Sequence, residues 1–241
     1  MTNMRLAGLG LLIASAACLC GCTVARMAVD PSLAGGAQEL PVQGRQGFVW
    51  NKPLEFGGFK VTDIDRGWLK RMKWDVFGLT GEKARQSYEF KIASGNGPAW
   101  QAKCATGINR KDLELDNFLN TGGSLKVELE SDVLFACTFT APRGEWKLIM
   151  SQGTRQVVLN GILTDGSKQL LVEGTRELAG GAWPMMEPTG YHFLLNGRFV
   201  GAVEVLNAGA VWLDGSLDEN TRMAVASASS ALLLYREIHE Q

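Results

Sequence analysis

The amino-acid sequence predicts a mainly β fold: an antiparallel barrel of about twelve strands enclosing a C-terminal hydrophobic helix. Three observations carry that expectation. Short segments through the middle of the chain alternate apolar and polar residues with period two, the pattern of strands wet on one side. Turn dipeptides separate many of them. The chain then closes on a segment, residues 216–238, whose centre carries no charge from Met223 to Tyr235. A helix without a polar stripe is buried on every side or lies in a membrane. This uncharged stretch is shorter than the roughly 20 residues of a membrane span, so burial within a sheet is the expectation. A barrel of roughly eight strands has room only for its own side chains, whereas wider barrels hold a central helix.

Taken in order, residues 1–5 carry one positive charge and residues 6–17 form an apolar run of signal-peptide length. The run ends Leu19-Cys20-Gly21-Cys22, which resembles the lipobox of bacterial lipoproteins, with Cys20 an unusual occupant of its second position. The resemblance implies a signal peptide over 1–21 and cleavage before Cys22. The Cys22 thiol would take diacylglycerol and the new amino group an acyl chain such as palmitate. Each buried methylene contributes about 0.8 kcal/mol, so several chains on one residue anchor stably. The alternative is an ordinary secretory signal cut near Ala17 or Gly21. Thr23, where inner-membrane lipoproteins commonly carry Asp, implies the outer membrane, with the domain facing the periplasm and surface exposure left open.

Residues 22–44 show no sustained periodicity and contain Asp30-Pro31-Ser32, Gly35-Gly36 and Pro41, which predicts a flexible tether. A single barrel domain is expected over 45–241, with its helix over 217–238. Strand candidates are 46–50, 59–64, 68–76, 87–92, 100–106, 125–130, 133–140, 145–150, 156–163, 168–174, 191–195, 198–205 and 210–213. Gly122-Gly123, Asp165-Gly166, Asn196-Gly197 and Ala208-Gly209 supply turns, and Asn196-Gly197 is the strongest hairpin signal. Ser216 with Glu219 has capping-box spacing and predicts the helix start.

Gly197-Arg-Phe-Val-Gly-Ala-Val-Glu-Val-Leu, then Val211-Trp-Leu, then the Ala-rich helix resemble the end of the tubby-like barrel group. That group includes the tubby C-terminal domain, phospholipid scramblases and LURP-one-related proteins. The resemblance implies a twelve-stranded barrel threaded by its C-terminal helix, and contact with lipid. It carries no individual residue across. The alternative architecture is a β-sandwich or half-barrel with the helix packed on one face.

Chemistry-bearing residues are few. Once Cys18 and Cys20 leave with the signal and Cys22 is lipidated, Cys104 and Cys137 remain as a pair in an oxidising compartment. Both fall on apolar strand faces, which predicts an internal disulfide; two buried free thiols are the alternative. The stretch 66–74 interleaves Arg66, Lys70, Arg71 and Lys73 with tryptophans and is the candidate contact for anionic lipid. The competing reading is an edge strand whose lysines block pairing. Asp63 and Asp65 share a strand face just before Arg66-Gly67 and read as turn residues, with an acid–base dyad as the alternative, and Glu128, Glu130 and Asp132 read as a solvated face. A histidine-dependent triad would rest on His192, without a G-x-S-x-G motif; His239 is near the C-terminus. No metal-ligand spacing, P-loop or dinucleotide fingerprint is present, so no catalytic residue, metal or cofactor is assigned. Twenty-four basic against twenty-five acidic residues exclude a strongly basic surface, and nucleic acid is not an expected partner.

The expectation is therefore a lipid-anchored, non-catalytic envelope module that binds lipid or another envelope protein, or serves structurally. A lipocalin-like carrier, which needs an empty barrel, and an enzyme of unrecognised type are the alternatives.

Overall fold

The computed structural model describes residues 24–45, 52–67, 86–106, 134–142, 144–152 and 158–235. These form one twelve-stranded antiparallel sheet around a helix. In chain order the elements are α1 (Pro31–Ala34), β1 (Ala37–Pro41), β2 (Leu54–Phe56), β3 (Phe59–Gly67), β4 (Gln86–Ser94), β5 (Trp100–Thr106) and β6 (Leu134–Ala141). They continue with β7 (Gly144–Gln152), β8 (Leu159–Thr164), β9 (Gln169–Thr175), β10 (Gly190–Leu195), β11 (Arg198–Glu204), β12 (Ala210–Asp214) and α2 (Glu219–Leu234). From β2 to β12 every strand pairs with the next in sequence, and β1 adds onto β12. The ends of the sheet meet where Gln43 and Glu55 exchange backbone hydrogen bonds of 2.8 and 3.1 Å, nearly closing the barrel.

Period two places alternate side chains in the lumen. One inward belt runs Tyr88, Cys104, Cys137, Leu148, Leu163 and Leu170 across β4 to β9, each opposite the next. All are buried. The helix fills what the belt leaves: every residue from Met223 to Leu234 is buried. Its alanines and serines let the backbone approach the wall, and Gly201 of β11 does the same from the other side. A Cβ at Gly201 would meet Val225 Cγ1 at 2.8 Å, closer than packed atoms stand. Sixteen residues make a marginal helix in water, so the stability of α2 comes from this packing.

The barrel has two unlike ends. At one, hairpins are tight: Asn196 and Gly197 both adopt positive φ, +52° and +77°, as the Asn-Gly signal requires. At the other, the chain leaves β3, β5, β7, β9 and β11 and returns through longer connections, and α2 ends there as well.

The sheet corrects four expectations. Residues 24–44 are not a free tether. Met27 and Leu33 are buried, Ala37–Pro41 is a strand, and Leu40 and Val42 enter the core. The segment shows no period because each piece, one helical turn or one short strand, buries only one or two side chains. The folded unit accordingly starts before residue 45. The helix is shorter than 217–238 within the described residues: Tyr235 is extended, with φ −63° and ψ 131°, and caps Leu234. Its N-cap is Asp218, whose carboxylate accepts from the Thr221 N–H at 3.1 Å, while Ser216 lies in the preceding turn. Asp63 sits at positive φ in a bulge of β3 and pairs with Lys91, an irregularity inside a strand instead of a turn after one. The strand candidates 46–50, 68–76 and 125–130, and the Gly122-Gly123 turn, lie outside the described residues.

Candidate functional site

The lumen carries the disulfide. Cys104 and Cys137 face each other directly on β5 and β6, with Cα atoms 4.1 Å apart, and are bonded. Both are fully buried beside the helix, where they tie the wall and offer no exposed thiol chemistry. Ser227 and Ser230 donate to the carbonyls of Met223 and Ala226 one turn earlier, each at 2.8 Å. The Ser229 hydroxyl has no partner among the described residues.

The carboxyl end of α2 is received by a collar of donors from the barrel. Tyr88 Oη donates to the Ala231 carbonyl at 2.6 Å, Arg45 Nε to Leu233 at 3.2 Å, and Arg66 Nη1 to Leu234 at 3.4 Å. The Ala231 carbonyl already takes the Tyr235 N–H at 2.9 Å and accepts Tyr88 as a second donor. The Leu233 and Leu234 carbonyls lie past the helical ladder at the negative end of the helix dipole, where an arginine answers both needs. Burial pushes the Tyr88 phenol well up, keeping it a donor. Arg45 also donates to Val205 and Asn207, joining the collar to the β11–β12 turn. Arg66 therefore turns inward to the helix. Lys70, Arg71 and Lys73 lie outside the described residues, as does Cys22.

A second polar cluster clasps the N-terminal segment. Glu204, at the end of β11, has a side chain 3% exposed and receives Arg26 Nε at 2.8 and 3.1 Å. It also accepts the Met27 N–H at 3.1 Å. Arg26 bridges onward to Glu39 at 2.7 Å and lies over the Trp212 ring, 6.0 Å from its centre. The hydrogen bond that Arg26 donates to Glu39 leads in holding the guanidinium charged, with Glu204 behind it. Nearby, Asn207 donates to the Ala25 carbonyl at 2.9 Å.

His192 lies on β10, its ring edge-on to Phe199 at 5.3 Å. Burial lowers its pKa, against the pull of Asp30. Among the described residues no group of three His, Cys, Asp or Glu side chains is placed to hold a metal ion. No helix among them is long and apolar enough to cross a membrane.

Sequence reasoning found Cys104 and Cys137 but missed Arg26, Arg45, Tyr88 and Glu204. Glu204 did leave a signal, as the sole acid in the apolar run 198–206. Comparison with known proteins adds no relative: no family model matches the chain, and neither a curated protein nor a solved structure does.

Proposed function

We propose that the chain is an outer-membrane-anchored envelope lipoprotein, held through acylated Cys22, that acts as a non-catalytic module binding lipid or another envelope protein. The observation that supports a surface role most directly is the occupied lumen. Every residue of α2 from Met223 to Leu234 is buried inside the barrel, where a lipocalin-like carrier would hold cargo. The tubby-like resemblance points the same way, toward contact with lipid outside the barrel.

The anchor reading has a structural complement. Arg26 is already clasped to β11, so only residues 22–25 separate the acylated cysteine from the folded wall. Extended chain covers at most about 3.5 Å per residue, which confines the barrel to roughly 14 Å from the lipid attachment. At the end so presented β3 leaves toward the basic stretch that runs to Lys70, Arg71 and Lys73, with Arg66 itself turned inward to the helix carboxyl end. Anionic headgroups are the ligand class for that stretch, each cation contributing about 1 kcal/mol near a charged surface.

The test is metabolic labelling with radioactive palmitate, with sucrose-gradient separation of the membranes. Wild type is expected to take label and band with the outer membrane, and Cys22→Ala to take none. Label retained by the variant, or banding with the inner membrane, refutes the respective half of the assignment.

A further inference from the structure

Three large apolar side chains stand in solvent among the described residues: Trp183, 84% exposed, Met186, 87%, and Val24, 64%. All three flank one backbone ladder. Ala28 N–H donates to Glu177 at 3.0 Å and Ala179 N–H to Arg26 at 2.9 Å, with Met27 opposite Leu178. Val24 lies two residues before Arg26, and Trp183 four after Ala179. The β9–β10 connection folds back on this ladder. Gly181 N–H returns to Leu178 at 3.0 Å and Met185 N–H to Arg176 at 2.8 Å. Its base is pinned by the Thr189 hydroxyl, which donates within reach of both Thr175 and Glu177 carbonyls at 3.2 and 3.0 Å. The backbone is thus fastened at both feet of the loop while its two largest apolar side chains point away from the protein.

Between Gly180 and Thr189 the only charge is Glu187, and Pro184 and Pro188 stiffen the chain. A pinned, nearly uncharged loop that holds Trp and Met in water marks a contact surface. Its position selects the partner. The ladder is the attachment point of the segment that leads, within a few residues, to Cys22. A tryptophan there meets the headgroup layer, where its apolar ring and polar N–H are both accommodated.

We infer that the β9–β10 loop is a membrane wedge, with Trp183 and Met186 seated in the interfacial layer of the same phospholipid bilayer that holds the acyl chains of Cys22. The inference rests on the lipid anchor proposed above. It gives the barrel a second point of contact and so an orientation, with the helix carboxyl end toward the membrane.

The test compares the full chain with Trp183→Phe, which exchanges one exposed aromatic for another and leaves the packing alone. Each is purified in mild detergent and reconstituted into vesicles of phosphatidylethanolamine and phosphatidylglycerol with brominated acyl chains. Tryptophan emission of the wild type is expected to be quenched, and the variant to lose most of that quenching. Equal quenching in the two proteins, or none in either, overturns the wedge and leaves the loop to a protein partner. Palmitate on Cys22 is measured in the same preparation. A labelled chain without Trp183 quenching overturns the wedge alone, whereas an unlabelled chain overturns the anchor. An unlabelled chain still quenched through Trp183 supports membrane contact by the loop without it.

Discussion

At the scale of single residues the most consequential side chain is Glu204. Its carboxylate is buried, whereas its partner Arg26 keeps 43% of its side chain exposed, so the two ends of the pair are not equivalent. Removing Glu204 lets Arg26 return to water but orphans the Met27 N–H. Removing Arg26 strands a buried carboxylate with one backbone donor, which is the costlier error. Glu204→Ala is therefore expected to release the N-terminal segment while the barrel stays folded. Trypsin reads this directly, because Arg26 is itself a cleavage site whose carbonyl is held by Ala179 in the native state. A weakening of about 1.4 kcal/mol opens the segment tenfold more often and raises cleavage at Arg26 by the same factor. Unchanged cleavage in Glu204→Ala would show that the ladder, and not the carboxylate, does the holding. None of this was legible in residues 22–44, because a clasp between sites 178 positions apart leaves no local pattern. The cysteine pair was legible because each thiol fell on the apolar side of a strand with clear period two.

At the scale of the element, α2 was the most readable part of the chain and its start the least. Absence of a wet face over 223–235 is a property of the whole window, and it survives small errors in register. The N-cap is decided by one side chain, and Ser216 and Asp218 compete for it within a few residues. Asp218 wins because its carboxylate reaches both the N–H and the hydroxyl of Thr221 and also pairs with Lys168 at 2.7 Å. These bonds, that from Lys168 first, hold its pKa well below the usual carboxylate range. A carboxyl whose folded pKa is depressed contributes stability that is complete above its unfolded pKa of about 3.9 and is lost as pH falls toward the folded value. Asp218→Asn keeps a capping oxygen and removes the charge. Its deficit relative to wild type is expected to be under about 1 kcal/mol, since the ion pair is exposed. The deficit should be constant from neutral pH to about pH 5 and shrink toward zero below pH 4. Thermal melts of the two proteins across that range check it, and a deficit that grows on acidification would reverse the assignment.

At the scale of the whole molecule the barrel is polar along its axis, and that polarity ties the proposals together. The N-terminal clasp, the helix collar, the β9–β10 loop and the exit of β3 toward the basic stretch are linked through Asn207, Arg45 and Arg66 at one end. The strand pattern predicted the closed sheet and its filled lumen. It missed β1 and β2, which are short and, among the described residues, are bridged at Gln43–Glu55, so which strands form the seam was not readable. The N-terminal clasp bears on the proposed membrane anchor. If Cys22 is acylated as proposed, a free tether over residues 22–44 would let the barrel drift about 80 Å from its anchor, whereas the clasp at Arg26 would hold it within roughly 14 Å. Neutron reflectometry of the acylated chain on a supported bilayer distinguishes the two. The protein layer of the wild type is expected to begin at the headgroups with no resolvable water gap. A barrel on a free tether would instead give a layer spread outward by tens of ångströms, up to about 80 Å. A water gap already present in the wild type would place the barrel away from the bilayer and remove the basis for membrane contact by this end.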